Sequence, residues 1–174
     1  VLEHLRPDGR LLRAWRNGKA QHDGVLEDHA FLAAACLDLY EATGAIRWLE
    51  QALALAEELE VRFADPSHGG YFATASDAEP LVTRSHPAMD GALPSGNGVA
   101  AEVLLRLGEL TTDPRWRDRA EALFRAFSTP MTDRGMGTPR LLAALDRYLD
   151  APRELVIVRP EGSDPGPMLR AAME

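Results

Sequence analysis

The sequence predicts an all-α fold in which helices pack in pairs and form two curved layers. Three observations support this fold class. The chain repeats itself after 68 residues, its helical segments alternate between a buried and an amphipathic type, and turn residues separate them at short intervals. No apolar run approaches the roughly 18 residues that a membrane-spanning helix needs.

The internal repeat is clearest between residues 33–55 and residues 101–123. At a shift of 68, these segments share ten identical residues in 23 positions, and Trp48 for example recurs as Trp116. Identity at this density exceeds what a shared helical composition produces. Repeated pairs of one buried and one surface helix indicate α-hairpins that stack side by side and cover each other's apolar faces.

The first half of the chain predicts one hairpin and one helix pair. Residues 10–20 carry an Asn-Gly pair, which suits the type I′ turn of a short β-hairpin. The helix predicted over 26–42 is apolar on all sides between 30 and 37, so we expect it to be buried all round. The helix over 46–60 has a single apolar stripe and is expected on the surface.

The second half predicts the same order of elements. A Gly-Gly pair near 69–72 indicates a second hairpin, and an inner helix follows over 97–110. An Asp-Pro pair then provides an N-cap and a proline at the first position of an outer helix over 114–127. Thr138-Pro139 begins a third inner helix, over 138–149, by the same device.

We therefore divide the chain into residues 1–150, which form the helical layers, and a C-terminal extension over 151–174. Within the extension, residues 154–159 predict a strand. Asp164-Pro165 is expected to begin a final short helix.

Composition narrows the classes of function. A net charge of −8 without a basic cluster argues against nucleic acid and anionic membrane surfaces as partners. The lone Cys36 excludes an internal disulfide or a cysteine-based zinc site and favours a reducing compartment, so we expect a cytoplasmic protein. The N-terminal segment is charged throughout, which does not fit a signal peptide. No His, Asp or Glu spacing indicates a metal site, and no cofactor is expected.

Three segments of the sequence are informative when taken together. They are LEDHAFLAAACLDLYEATG, GGYFATASDAEPLVTR and DGALPSGNGVAAEVLLRLGELT, in this order. These segments resemble the thioredoxin-domain family typified by spermatogenesis-associated protein 20. The resemblance implies a partial α/α toroid, similar to six-hairpin glycosidases and N-acylglucosamine 2-epimerase, with short β-hairpins and a small C-terminal strand-helix tail. It also implies that an N-terminal thioredoxin-like domain and the first part of the toroid are missing from these residues. The family usually has Ser at Gly98, which weakens any hydroxyl role there.

The resemblance places a substrate cleft where the inner helices begin. Helix starts offer free backbone N–H groups that suit hydroxyl or carboxylate groups of a ligand. Glycoside hydrolysis would use two carboxyl groups, and Asp28 and Asp90 flank the two clearest inner-helix starts. Epimerase-type chemistry would need a base, for which His29 is the better choice. The predicted substrate-binding residues are Glu27, Asp77, Arg84, Ser95 and Asn97.

Each of these residues also has a purely structural interpretation. Ser95 is an N-cap, Asp28 and its neighbour favour a helix start, and His29 precedes an apolar run and suits a hydrogen-bonded core histidine. Arg84 is expected to order its loop through a salt bridge with Asp77 or Asp90. The other histidines of turn-rich segments, among them His86, are expected to be solvated.

Two functions therefore remain open. The first is a carbohydrate-processing or carbohydrate-binding toroid, with glycosidase-like or epimerase-like activity in the full-length protein and a sugar or sugar-like ligand. The alternative is a non-catalytic protein-interaction or redox-partner module that acts with the thioredoxin-like domain. Aromatic and acidic residues that converge on a concave funnel would favour the first, and a filled or flat inner face with the same residues in structural hydrogen bonds would favour the second. We expect the isolated chain to be inactive and to self-associate through its cut edges.

Overall fold

A computed structural model of the chain is predominantly helical, with one small two-stranded sheet, and describes residues 2–79, 82–150, 158, 160, 162, 164 and 166–173. In order, its elements are α1 Leu2–Leu5, β1 Leu12–Arg16, β2 Lys19–Asp23, α2 Leu26–Thr43, α3 Ile46–Glu58, a π-helical turn Leu59–Phe63, α4 Gly96–Thr111, α5 Pro114–Ala126, α6 Ser128–Asp133, a 3₁₀ turn Gly135–Gly137, α7 Pro139–Leu149 and α8 Gly166–Met173.

Three inner helices lie side by side, with α4 between α2 and α7. Helix α3 packs on α2, and α5 packs on α4, as the two predicted outer helices. Each outer helix buries a single stripe, which in α5 consists of Trp116, Ala120, Leu123 and Phe124. The amphipathic pattern therefore places these helices correctly, because one apolar face is all that an outer helix can bury.

The repeat extends to individual hydrogen bonds. Thr43 Oγ1 donates to the carbonyl of Leu39 at the end of α2, and Thr111 Oγ1 donates to the carbonyl of Leu107 at the end of α4. The next residue in each repeat, Gly44 or Thr112, ends its helix in the left-handed region, at φ 65° and φ 55°. The two helix pairs are therefore structural copies of one α-hairpin.

One of the two expected β-hairpins is present. Asn17 and Gly18 both have positive φ and join β1 to β2, as the type I′ turn predicts. The prediction of a second hairpin is wrong for the described residues, because Ala64 and Tyr71 form only an isolated bridge. Gly69 lies at φ 81° against the backbone of α5, where an added Cβ would be 2.9 Å from a carbonyl oxygen. That glycine pair makes a tight turn beneath α5 and does not extend a ladder.

The two long inner helices are buried to different extents. Helix α4 buries nearly every residue from Gly96 to Leu107, since it has neighbours on both flanks. Helix α2 was expected to be equally buried, but Ala35 and Leu39 are exposed and Phe31 is only partly buried. An apolar run therefore predicts an inner position, whereas the extent of burial depends on how many helices flank it.

The C-terminal part follows the prediction where it can be compared. Asp164 Oδ1 accepts a hydrogen bond from the N–H of Gly166, which begins α8 as expected. The predicted strand over 154–159 lies outside the described residues except for Val158. Among the described residues, no helix combines the length and apolarity that crossing a membrane requires.

Candidate functional site

The first turns of α2, α4 and α7 lie together at one end of the inner layer, the helix-start end. A Cβ added to Gly96 would lie 2.7 Å from Leu26 Cγ, so α4 begins directly against α2. A Cβ on Gly98 would lie 2.9 Å from Arg140 Cβ, so α7 begins on the other side of α4. All eight predicted site residues lie at this end: Glu27, Asp28, His29, Asp77, Arg84, Asp90, Ser95 and Asn97.

Asp28 holds the start of its own helix. Its Oδ2 accepts a hydrogen bond of 2.9 Å from the N–H of Val25, the N-cap residue of α2. The Nε atom of Arg13, on β1, lies 3.5 Å from the same oxygen. Glu27 beside it is exposed. Asp28 thus satisfies a backbone donor at a helix N-terminus, as the structural interpretation expects.

Asp90 joins two helices. Its Oδ1 accepts from the N–H of Ser95, the N-cap of α4, and its Oδ2 accepts from the N–H of Arg140 in the first turn of α7, each at 2.7 Å. Thr138, the expected cap of α7, makes no capping hydrogen bond with its side chain. Asp90 therefore caps α7 in its place, from 50 residues away in sequence. Ser95 in turn accepts from the N–H of Gly98, at 3.1 Å.

His29 occupies the core beneath the start of α2 and is fully buried. Its Nδ1 lies 2.9 Å from the carbonyl oxygen of Val25, and its Nε2 lies 3.1 Å from Glu58 Oε2 at the end of α3. Because a carbonyl oxygen can only accept, Nδ1 carries a proton there. The ring also packs against Phe63, with centroids 4.8 Å apart.

Asn97 is the counterpart of His29 in the second repeat and is also fully buried. Its Oδ1 accepts from the N–H of Tyr71, and its Nδ2 donates to the carbonyls of Tyr71 and Pro87, all within 2.8 to 2.9 Å. The amide thus pins the loop that precedes α4 to the helix start. Both repeats use a buried polar side chain at this position as an internal anchor.

Arg84 binds carbonyl oxygens. Its guanidinium donates to the carbonyls of Thr74 and Arg62 and lies 4.0 Å above the ring of Phe72. The expected salt bridge from Arg84 to Asp77 or Asp90 is wrong, because Arg62 and Arg10 pair with Asp77 and the oxygens of Asp90 accept backbone N–H groups.

Asp77 is exposed but its charge is compensated. Arg62 Nη2 and Arg10 Nη1 lie 3.0 Å from its two oxygens. The hydrogen bond from Arg62 is the main cause that lowers the pKa of Asp77 below its usual value. Arg62 also lies near Glu58, which links Asp77 to the buried His29.

Ion pairs bridge neighbouring inner helices. The pairs are Arg106 with Asp38 and Glu41, Arg140 with Glu102, and Arg147 with Glu109. The three partners on α4 are spaced four and three residues apart, so they share one face of that helix. Arg106 is only 5% exposed, and its two carboxylate partners lie at 2.8 and 2.9 Å. The charged side chains on this face of α4 therefore form ion pairs with α2 and α7.

A pocket of ≈ 330 Å³ opens at the helix-start end, between the loop before Asp90 and α6. Its lining includes His86, Met89, Thr129, Asp133 and Arg134. His86 was expected to be solvated, but its ring stacks on Phe72 with centroids 4.0 Å apart, and burial lowers its pKa.

A buried carboxylate lies behind His86. Asp65 is 6% exposed, and its Oδ2 lies 3.3 Å from His86 Nε2 and 3.1 Å from His68 Nδ1. Its Oδ1 accepts from the N–H of Ser67, which is the main cause that lowers the pKa of Asp65. The Asp-Pro-Ser sequence at 65–67 is a recognisable turn signal. Nothing in the sequence pairs it with a histidine 21 residues later, so this pair was missed.

A second cavity, a groove of ≈ 430 Å³, lies between α5, α6 and α7. Phe124, Met131, Leu145 and Tyr148 contribute to its lining, which makes it mainly apolar. Within the part of the chain that the structure describes, no three His, Cys, Asp or Glu side chains are arranged to hold a metal ion.

Comparisons with known proteins give one consistent result. No protein-family model matches the chain. It is 38% identical over 135 residues to spermatogenesis-associated protein 20 of Mus musculus, covering 77% of this chain and 17% of the relative. It is 36% identical over 158 residues to the protein of that name from Homo sapiens, covering 86% and 20%. An uncharacterized protein of Caenorhabditis elegans is 30% identical over 132 residues, covering 76% and 18%.

The chain spans about a fifth of the length of the curated relatives it matches. The identity of 36 to 38% extends over most of this chain in comparisons with two mammalian relatives. Over most of its length, the chain is homologous to the spermatogenesis-associated protein 20-like family.

Proposed function

We propose that the chain forms part of an α/α toroid and serves as a non-catalytic interaction module for the thioredoxin-like domain that the family resemblance implies. The observation that supports this role is the internal use of the predicted catalytic groups. His29 and Asp90 direct both of their polar atoms, and Asp28 directs its Oδ2, to backbone or core partners.

Carbohydrate hydrolysis would make demands on these groups that their contacts oppose. A general acid must present a proton to the substrate, and its partner must reach water or the sugar ring. Both oxygens of Asp90 accept backbone N–H groups, so protonating the carboxylate to act as an acid would weaken a helix cap. His29 is fully buried, so a base at this position would not meet a substrate proton.

The inner face supports the same conclusion. Its charged side chains pair with one another and bridge α2 to α4 and α4 to α7, although Asp38 remains exposed. A surface stiffened in this way keeps its shape when a partner docks, which lowers the entropic cost of binding.

The test is a calorimetric titration of the 174-residue chain with the separately produced thioredoxin-like domain of a family member. We expect saturable binding, and the same domain with bovine serum albumin in place of the chain provides the control. A panel of mono- and disaccharides should undergo no turnover. Sugar turnover that Asp28→Asn or Asp90→Asn abolishes, without loss of the folded state, would contradict the proposal.

Carbohydrate binding is the second candidate, and the pocket beside His86 is the observation that favours it. Its volume of ≈ 330 Å³ falls within the range of small-molecule sites, and it lies at the end where the resemblance places a cleft. A sugar that raises the melting temperature of the chain, with no response to the thioredoxin-like domain, would favour this candidate.

A further inference from the structure

We infer that the pocket beside His86 binds a small hydroxylated anion, with Arg134 holding the anionic group and His86 accepting a hydrogen bond from a hydroxyl. Sugar acids and sugar phosphates share this chemistry. The inference does not depend on the interaction role, and it would narrow the ligand class of the carbohydrate candidate.

Neighbouring side chains fix the orientation of the His86 ring. Its Nε2 is buried and lies 3.3 Å from the carboxylate of Asp65 without a hydrogen bond to any described residue, and the negative charge of Asp65 favours the ring proton on this nitrogen. Nδ1 has no hydrogen-bond partner among the residues that the structure describes, which leaves its lone pair available. Phe72 stacks on the ring at 4.0 Å, and Phe127 meets it edge-on at 6.5 Å. The ring is thus held on three sides, as a binding group requires.

The charges around His86 favour its neutral form. Burial is the largest cause that lowers its pKa, and the positive charges of His68 and Arg84 act in the same direction, whereas Asp65 opposes them. A neutral imidazole with its proton on Nε2 is a hydrogen-bond acceptor at Nδ1. A ligand hydroxyl is the matching donor.

Arg134 provides the positive charge. Its guanidinium forms no ion pair or hydrogen bond with any residue in the described part of the chain, although most arginines there are paired. A guanidinium offers donors in a planar fork that fits carboxylate or phosphate oxygens. Asp133 also lines the pocket and repels an anion, so the anionic group should lie toward Arg134. Met89 and Pro130 add apolar surface for the C–H face of the ligand.

The test is calorimetric titration of the chain with glucuronate, glucose 6-phosphate and glucose. We expect at least one of the two anions to bind and glucose to bind much more weakly. Arg134→Gln should weaken anion binding about tenfold or more, since a charge-assisted hydrogen bond is lost. His86→Phe keeps a ring in the stack and should weaken binding through the lost acceptor. Arg16→Gln, at an exposed arginine of β1, is the matched control and should change nothing.

Each contrary result overturns a stated part of the inference. Equal binding of glucose and the anions would remove the role of Arg134 while supporting the carbohydrate candidate. Binding that survives both Arg134→Gln and His86→Phe would place the ligand elsewhere. Failure of all three probes to bind the folded chain at millimolar concentration would overturn the site and leave the interaction role untouched. Circular dichroism of each variant shows that it is folded.

Discussion

Asp90 acts at the scale of a single residue, yet it links two helices. Its two oxygens accept from the N–H groups of Ser95 and Arg140. In Asp90→Asn one of these acceptors becomes an NH₂ group that faces a donor. We expect a loss of about 2 kcal/mol in the free energy of unfolding, measured by urea denaturation, because one backbone donor is left unsatisfied and the charge is lost. Asp118→Asn, at an exposed position of α5 without such contacts, should have little effect.

The lowered pKa of Glu58 predicts how the free energy of unfolding depends on pH. Burial raises its pKa, but the hydrogen bond from His29 and the charge of Arg6 outweigh that effect, so the pKa lies below its ordinary value of 4.5. A lowered pKa stabilises the fold above the unfolded value, and the stabilisation is lost as the pH falls through the folded value. Glu58→Gln should therefore lose less stability than the unmodified chain below pH 4.5. Thermal unfolding measured across the acid range tests this. Glu50→Gln, exposed on the same helix, should leave the profile unchanged; a flattened profile there would contradict the assignment to Glu58.

At the scale of elements, the two inner helices end alike but with different residues. Gly44 adopts a left-handed conformation without strain, whereas Thr112 is β-branched and adopts it at φ 55°. Thr112→Gly should stabilise the chain by about 1 kcal/mol, and Gly44→Thr should destabilise it by a similar or larger amount. Both changes are measured by urea unfolding. Destabilisation by Thr112→Gly would show that the contacts of the threonine outweigh its backbone strain.

Elements that depend only on residues adjacent in sequence could be predicted. The hairpin at Asn17-Gly18 and the start of α5 at Asp113-Pro114 depend on neighbouring residues alone, and both are present. The cap of α7 could not be predicted, because its acceptor is Asp90, 50 residues away. The pairing of Asp65 with His86 likewise depends on how two loops meet, which no periodicity encodes.

The candidate site could likewise be predicted from the sequence only in part. The 68-residue shift pairs His29 with Asn97, and both residues lie fully buried in the first turns of their helices. Residue type alone did not show that both side chains point into the core, where they bond to loops and to α3. Their catalytic or binding roles, like those of the other predicted site residues, stay predictions.

At the scale of the whole molecule, the groove between α5, α6 and α7 is the feature that bears on association. It is mainly apolar, and Leu142 on its wall is 37% exposed. We propose that the isolated chain forms a twofold dimer through this groove, since apolar surface left open favours association. Sedimentation at micromolar concentration should show a dimer for the chain and a monomer for Leu142→Glu. Leu93→Glu, which changes an exposed loop residue, should remain dimeric; a monomeric unmodified chain would contradict the proposal.

The π-helical turn Leu59–Phe63 has a consequence for how the chain tolerates changes in length. The N–H of Ala64 donates to the carbonyl of Leu59, five residues back, so the turn holds one more residue than an α-helical turn would. With that extra residue, Arg62 reaches Asp77 and Phe63 packs beneath His29. Deleting one residue here would restore an ordinary α-helix and rotate all that follows by about 100°. A descendant of this sequence could therefore lose a residue from the turn at Gly9 with far less harm than from the end of α3.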